Sequence, residues 1–398
     1  MVFPSKKAGK NCVLFTLLVV VSLLQACQRS ENVKVNFNSG SHYIGEVTSE
    51  KKQGHGIFIW PNGARYEGSW QDDLQSGYGV YVDGAGAKYE GEWQLGKYHG
   101  NGIYTWPSGS QYRGQFKDGD KAGQGVFQWS NGDKYTGQWQ QNKSEGFGIK
   151  TWHSGKVYEG EFKGGQMHGQ GKLKWSDGHV YEGGFQNNLA DGSGIYRWPD
   201  KTYYQGDFVK GMKQGIGIQV WADGNRYEGR FVDDKRSGRG VMKWPDGRVY
   251  EGQFENDGIS GNGEMSWLNA EKYVGEFKAG SPSGSGAYSW PDGASYKGLF
   301  VKGLKHGEGI YKYSDGRSYK GEFKHDFPDG KGDYSWPSGE RYEGEFKSGQ
   351  KQGEGIFYWA DGSRYEGVFS NDKINGKGVC YFDGAPEACE FLNGVRAD

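Results

Sequence analysis

This 398-residue chain contains no segment with the length or periodicity of a helix, and branched aliphatic residues are sparse. A large aliphatic core is therefore excluded, and so is any helix-built site. Net charge is nearly absent: 48 Lys and Arg stand against 49 Asp and Glu, a formal −1, which offers no electrostatic footprint for nucleic acid. Catalytic signatures are missing too, with no His-Glu-x-x-His, Cys-x-x-Cys, Gly-x-Ser-x-Gly or phosphate loop ending in Gly-Lys-Ser/Thr. Proline is held to 10 residues and cysteine to 4. What is abundant is glycine, at 72 residues, and aromatics, at 16%. Disordered chains are glycine-rich but poor in aromatics, so this pairing points to many short strands joined by tight turns.

The first 27 residues differ from the rest. Lys6, Lys7 and Lys10 precede an apolar run of 12 residues, Val13 to Leu24, too short for a comfortable membrane span but suited to a signal peptide. The run ends in Leu24-Gln25-Ala26-Cys27, which resembles the lipobox of bacterial lipoproteins. That resemblance implies cleavage after residue 26 and lipidation of Cys27, and Gln28 rather than Asp after the cysteine implies the outer membrane of a Gram-negative cell. The alternatives are an ordinary signal peptide or an uncleaved anchor. Loss of residues 1–26 removes three lysines and leaves 45 basic against 49 acidic residues, a net −4. Residues 27–40 form a tether that reaches at most ~40 Å, so the body starts close to the bilayer.

From residue 41 the chain repeats itself. Tyr-x-Gly-x-aromatic begins at Tyr43 and recurs every 23 residues through Tyr365, fifteen times without insertion or deletion. Gly-x-Gly keeps the same period from Gly54 to Gly378, and a Trp follows in most copies, from Trp60 to Trp359. Alternation puts Tyr, Gly and the aromatic on one face of a strand and Glu or Lys on the other. Turn signals such as Asn62-Gly63 and Asp177-Gly178 close each copy, so each reads as a two-stranded hairpin. This spacing resembles the MORN repeat over roughly residues 41 to 392. The resemblance implies an all-β, elongated, single-layer antiparallel sheet of tandem hairpins, stabilised by nearest neighbours. At ~4.8 Å per strand, fifteen units would extend about 140 Å. The array is assigned to 41–379 and a degenerate capping unit to 380–398.

Departures from the phrase put local register in question. Val47 stands where an aromatic is expected, Asp83 replaces a Trp, and Lys201 and Ala270 replace the turn glycine. Cys380 and Cys389 flank the last turn, and a two-residue turn at Gly384 and Ala385 would set them directly opposite for a disulfide. A register shifted by one residue would leave two buried thiols instead. His99, His168 and His306 share one repeat position, three and six units apart, so they should not meet, and His55, His153, His179 and His325 lie in other phases. The recurring Glu pairs such as Glu90 and Glu92 read as a solvated strand face. No catalytic residue, cofactor or metal ligand is assigned, and the chain reads as non-enzymatic.

The leading functional expectation is a membrane-tethered scaffold for protein–protein interaction or assembly at the cell envelope, with the body in the periplasm or at the cell surface and with self-association open. The runner-up is binding of a glycan, peptidoglycan or polysaccharide, through the repeated aromatic face: Tyr158, Phe162, Trp175, Tyr181, Phe185, Trp198, Tyr204, Phe208 and Trp221. A third is phospholipid headgroup binding, weakly supported because basic and acidic residues are interspersed. Most of these rings are expected to stack on one another and on glycine backbone, although a single-layer sheet cannot hide all of them.

Overall fold

The computed structural model describes residues 31–382 and 384–397. The lipidation candidate Cys27 and the signal segment lie outside the described residues. The described residues form 33 strands, β1 to β33 in chain order, with no helix among them. They fall into two compact bodies, one ending at Asp120 and the other beginning at Lys121. In the first, β1 (Glu31–Asn36), β2 (His42–Thr48) and β3 (Lys51–Ile59) open a run in which every strand pairs antiparallel with the next in sequence. The second body follows the same rule to its end. The expected all-β sheet of consecutive hairpins is therefore what the chain forms.

One hairpin shows why the phrase folds this way. β12 (Val157–Lys163) pairs with β13 (Gln166–Lys174), setting Tyr158 against Leu173 and Gly160 against Gly171. The Tyr158 ring lies over those two glycines: a Cβ on Gly171 would stand 2.5 Å from Tyr158 Cε2. Glycine is required there by space. After Gly160 the register jumps to Glu161 opposite His168, a bulge in which Gly169 takes φ +56°, a left-handed conformation open to glycine. Two bonds fasten the bulge. Tyr158 Oη donates to the Glu161 carbonyl at 2.8 Å, and the Gln170 backbone N–H donates to Glu161 Oε1 at 2.9 Å.

Between hairpins, rings do the packing. Tyr158 meets Phe162 edge-on at 5.1 Å and Phe185, from β14 (Val180–Gln186) of the next unit, at 5.0 Å. This alternation continues unit after unit, and it leaves every Tyr of the phrase from Tyr43 to Tyr365 no more than 1% exposed. Each hairpin thus covers its neighbour's tyrosine, the nearest-neighbour stabilisation expected of a solenoid. Backbone staples add to it: the Lys213 N–H donates to Asp234 Oδ1 at 2.9 Å while the Asp234 N–H donates to the Lys213 carbonyl at 3.1 Å.

The departures do not disturb register. Lys201 and Ala270 hold the turn at φ 77° and 66°, the left-handed region glycine occupies elsewhere, and their amides still donate to the Trp198 and Trp267 carbonyls. The last turn does differ from expectation. β31 (Lys373–Phe382) and β32 (Ala385–Leu392) set Phe382 against Ala385, so residues 383 and 384, not 384 and 385, lie between them. Cys380 then opposes Glu387 and Cys389 opposes Gly378. The cysteines are bonded, but diagonally. In a regular unit the position opposite Cys380 holds the tyrosine that covers the glycines, as Tyr181 opposite Leu173. Glu387 has no such ring, and the disulfide of this last hairpin is buried.

Candidate functional site

The two faces of the sheet are chemically different, and each could bind. On the aromatic face, the expected row of nine rings divides. Tyr158, Phe162, Tyr181, Phe185, Tyr204 and Phe208 are buried in the ring ladder. Their surfaces are spent on one another and are not offered to a ligand. Burial also pushes the phenols up, with Tyr181 at about 12. Trp175, Trp198 and Trp221 remain half-buried. They sit just past the second strand of each hairpin, before the turn, where the following hairpin covers them only in part. Trp175 meets Tyr196 at 5.8 Å, and Tyr196 meets Trp198 at 4.5 Å. Along the end of the second body the contacts are continuous from Trp267 through Tyr288, Trp290 and Tyr311 to Tyr313.

The other face is polar, floored by the paired glycines. Its repeated glutamates have two fates. The second Glu of the phrase is structural: Glu46, Glu92, Glu161, Glu276 and Glu322 each accept the bulge N–H of the strand opposite. Sequence periodicity placed these on a solvated face but could not disclose the bond, because the bulge that aims the N–H appears only on pairing. The first Glu of the phrase stands opposite a β-branched residue in many units, as Glu90 against Val80 and Ile103. In the second body this face is grooved. One groove of about 760 Å³ is lined by Arg239, Glu251, Gln253, Asn262, Glu264 and Val274. Another of about 830 Å³ is lined by Lys320, Lys331, Asp333, Glu343, Glu354 and Glu366, among others. Tyr78, Phe147 and Ile216, each between the two glycines of Gly-x-Gly, project from this face at 58%, 54% and 66% exposure. The residue between the two glycines varies from unit to unit, so its exposure has no signal in the repeat.

No three His, Cys, Asp or Glu side chains among the described residues are grouped to hold a metal. His306 lies 5.8 Å, ring to ring, from His325, a neighbour in the next unit rather than a repeat-mate.

Comparison with known proteins agrees with the repeat. The MORN repeat profile matches fifteen successive segments, from residues 43–65 to 365–384. No curated protein matches the chain. Among solved structures, the chain is similar to the TCP domain of SAS-4 (dCPAP) of Drosophila melanogaster, in complex with a proline-rich motif of Ana2. Identity is 13%, over 38% of this chain and 84% of that one, with a TM-score of 0.26. It is also similar to the TCP10 domain of Danio rerio CPAP, at 11% identity over 73% and 94% with a TM-score of 0.25. A virginiamycin B lyase of Staphylococcus aureus matches at 10% identity over 74% and 99%, with a TM-score of 0.13. Likeness of this degree says nothing further about this chain. The fifteen matched segments span most of its length, and the chain belongs to the MORN-repeat family.

Proposed function

We propose that this protein is a non-enzymatic scaffold, tethered to a bacterial membrane through a lipidated Cys27, whose repeat array binds a protein partner at the cell envelope. MORN repeats are commonly protein- or membrane-binding modules, which agrees with this reading. The observation that carries it is the division of labour between the faces. The tyrosine ladder is consumed in holding hairpins together, whereas the polar face stays open, with mixed charge, exposed Ile and Val, and grooves of several hundred Å³. Grooves of that kind, with alternating polar and apolar pockets, suit an extended polypeptide. The lipobox resemblance, with Gln28 rather than Asp after the cysteine, supports an outer-membrane anchor with the body in the periplasm or at the cell surface.

The test is cross-linking in intact cells followed by purification through a C-terminal tag. A single protein recovered at near-equal amount, and lost when Glu251, Glu343 and Glu354 are changed to Lys, is the expected result. Recovery of the chain alone, unchanged by those substitutions, would overturn it. A second reading, glycan binding, is favoured by one observation: Trp175, Trp198 and Trp221 keep exposed ring surface in register along the sheet. It predicts co-sedimentation with insoluble cell wall that Trp175→Ala with Trp198→Ala abolishes. Phospholipid binding would instead show as flotation of a Cys27→Ser form with anionic vesicles, falling steeply with salt.

A further inference from the structure

The repeat carries its own cation site. In the first unit the Lys52 ammonium lies 5.6 Å from the Phe58 ring and 5.0 Å from the Trp70 ring, and it pairs with Asp73 at 2.9 Å. The same arrangement recurs in the second body, where Lys121 lies 4.8 and 4.9 Å from Phe127 and Trp139, and Lys213 lies 5.2 Å from Phe231. A positive charge over ring faces is thus what this corner of the hairpin is shaped to hold.

One repeat after Lys52 the rings remain and the cation is gone. Tyr81 takes the place of Phe58 and Trp93 that of Trp70, while Gln75 replaces the lysine and Gly96 replaces Asp73. An opening of about 440 Å³ results, lined by Trp60, Gln75, Tyr81, Trp93 and Tyr98, with Lys97 and two glycines at its edge. Trp60 meets Tyr81 at 5.6 Å and 88°, Tyr81 meets Trp93 at 6.2 Å and 78°, and Trp93 meets Tyr98 at 4.8 Å and 73°. The rings therefore turn several faces and edges toward one space. Two further departures converge here. Tyr98 adds a ring at the position that holds lysine in the first unit, and half-buried Asp83 stands where most units have Trp. After burial itself, the Asp83 charge helps raise the Tyr81 hydroxyl above its usual value, so its field reaches the cage. Lys97 is exposed, and its long stem leaves the ammonium free to turn to solvent.

We propose that this opening is a binding site for a trimethylammonium group, which takes the place the Lys52 ammonium holds one repeat earlier. The loss of Asp73's counterpart selects the alkylated cation. A bare ammonium would enter a cage whose matching carboxylate has become Gly96, and so would lose the charge-assisted bond that Asp73 gives Lys52. A trimethylammonium has no donor to satisfy, and its methyls pack on ring faces while its diffuse charge meets their quadrupoles. The chemistry is shared by a choline head and by a trimethylated lysine side chain, and the opening has room for the group together with its stem. The site lies on the aromatic face of the first body and stands or falls independently of the scaffold reading.

Calorimetric titration of the whole chain, at fixed ionic strength, tests this with tetramethylammonium, choline, trimethyllysine and the uncharged isostere 3,3-dimethylbutan-1-ol. The cations should bind saturably and the alcohol at least about tenfold more weakly. Gln75→Lys, which restores the residue of the first unit, should abolish binding with the circular dichroism unchanged, and Tyr98→Ala should weaken it about tenfold. Tighter binding of trimethyllysine than of choline supports the site and assigns it to a peptide side chain. The reverse order supports it and assigns a small molecule or headgroup. Absence of saturable binding by all three cations, equal binding of the alcohol, or undiminished binding to Gln75→Lys overturns the proposal.

Discussion

Replacing Gly171 by Ala adds one methyl group to a 398-residue chain, and the structure gives it nowhere to go. The new Cβ would stand 2.5 Å from both Cε2 and Oη of Tyr158, well inside contact distance. The strand cannot move away, because Gly171 is paired with Gly160 on one side and Gly183 on the other. The Tyr158 ring must lift instead. Overpacking of this kind costs about 1–3 kcal/mol. A lifted ring also weakens its edge-on contacts with Phe162 and Phe185, about 0.5–1.5 kcal/mol each at full loss. It strains the bond from Tyr158 Oη to the Glu161 carbonyl, worth about 1 kcal/mol. A destabilisation of about 3–4 kcal/mol is expected from these parts acting together. A chain of nearest-neighbour units need not unfold in one step, so a single midpoint would misreport the effect. Native-state hydrogen exchange resolves it: amides of β12, β13 and β14 should lose protection by a factor of about 10² or more, while distant strands keep theirs. Glu159→Ala, on the exposed polar face of the same strand, is the control and should change protection by less than about 0.5 kcal/mol. Unchanged protection in Gly171→Ala would refute the argument that tyrosine over paired glycine is what joins the units.

Other consequences are open to direct measurement. Lys201→Gly should relieve the left-handed strain at φ 77° and slow exchange of the Trp198 amide about fivefold, a gain near 1 kcal/mol; faster exchange would show the lysine to be unstrained. Glu161→Ala should release the Gln170 amide and cost about 1–2 kcal/mol locally, whereas Glu161→Gln should retain the bond, as Gln253 does for Asn262. Tyr227, Tyr250, Tyr273 and Tyr296 are pushed up to about 12 by burial, from an ordinary 10. Their neutral state is therefore favoured by the fold. Stability from them is complete below pH 10 and is lost as pH rises through 12, because the unfolded chain ionises first. Phenolate absorbance and sheet dichroism should change together in that window; smooth titration near pH 10 with an intact sheet would contradict the burial. Cys389→Ser should raise exchange in β31 and β32 without reaching the strands several units away, and spread along the array would argue against nearest-neighbour stability.

Much of this protein is written in its period. A 23-residue spacing kept fifteen times, with Tyr-x-Gly-x-aromatic and Gly-x-Gly in fixed phase, settles strand, turn and neighbour by local rules alone, because each hairpin needs only the next one to bury its tyrosine. The alternation of Tyr158, Gly160 and Phe162 gave one face, and Glu159 and Glu161 gave the other, before any pairing was known. Tertiary structure decided what the period leaves equal. Tyr158 and Trp175 look alike as aromatic repeat residues, but the next hairpin's Phe185 closes over the first, whereas Tyr196 covers the second only in part. Glu159 and Glu161 look like one solvated pair until the bulge turns the Gln170 amide toward the second. Trp60, Gln75 and Tyr98 lie in three successive units, yet pairing and stacking draw them around one opening. The diagonal bond of Cys380 to Cys389 likewise needed the register of the last turn. Local sequence determines how each unit folds, whereas exposure, aim and convergence depend on which residues strand pairing and stacking bring together.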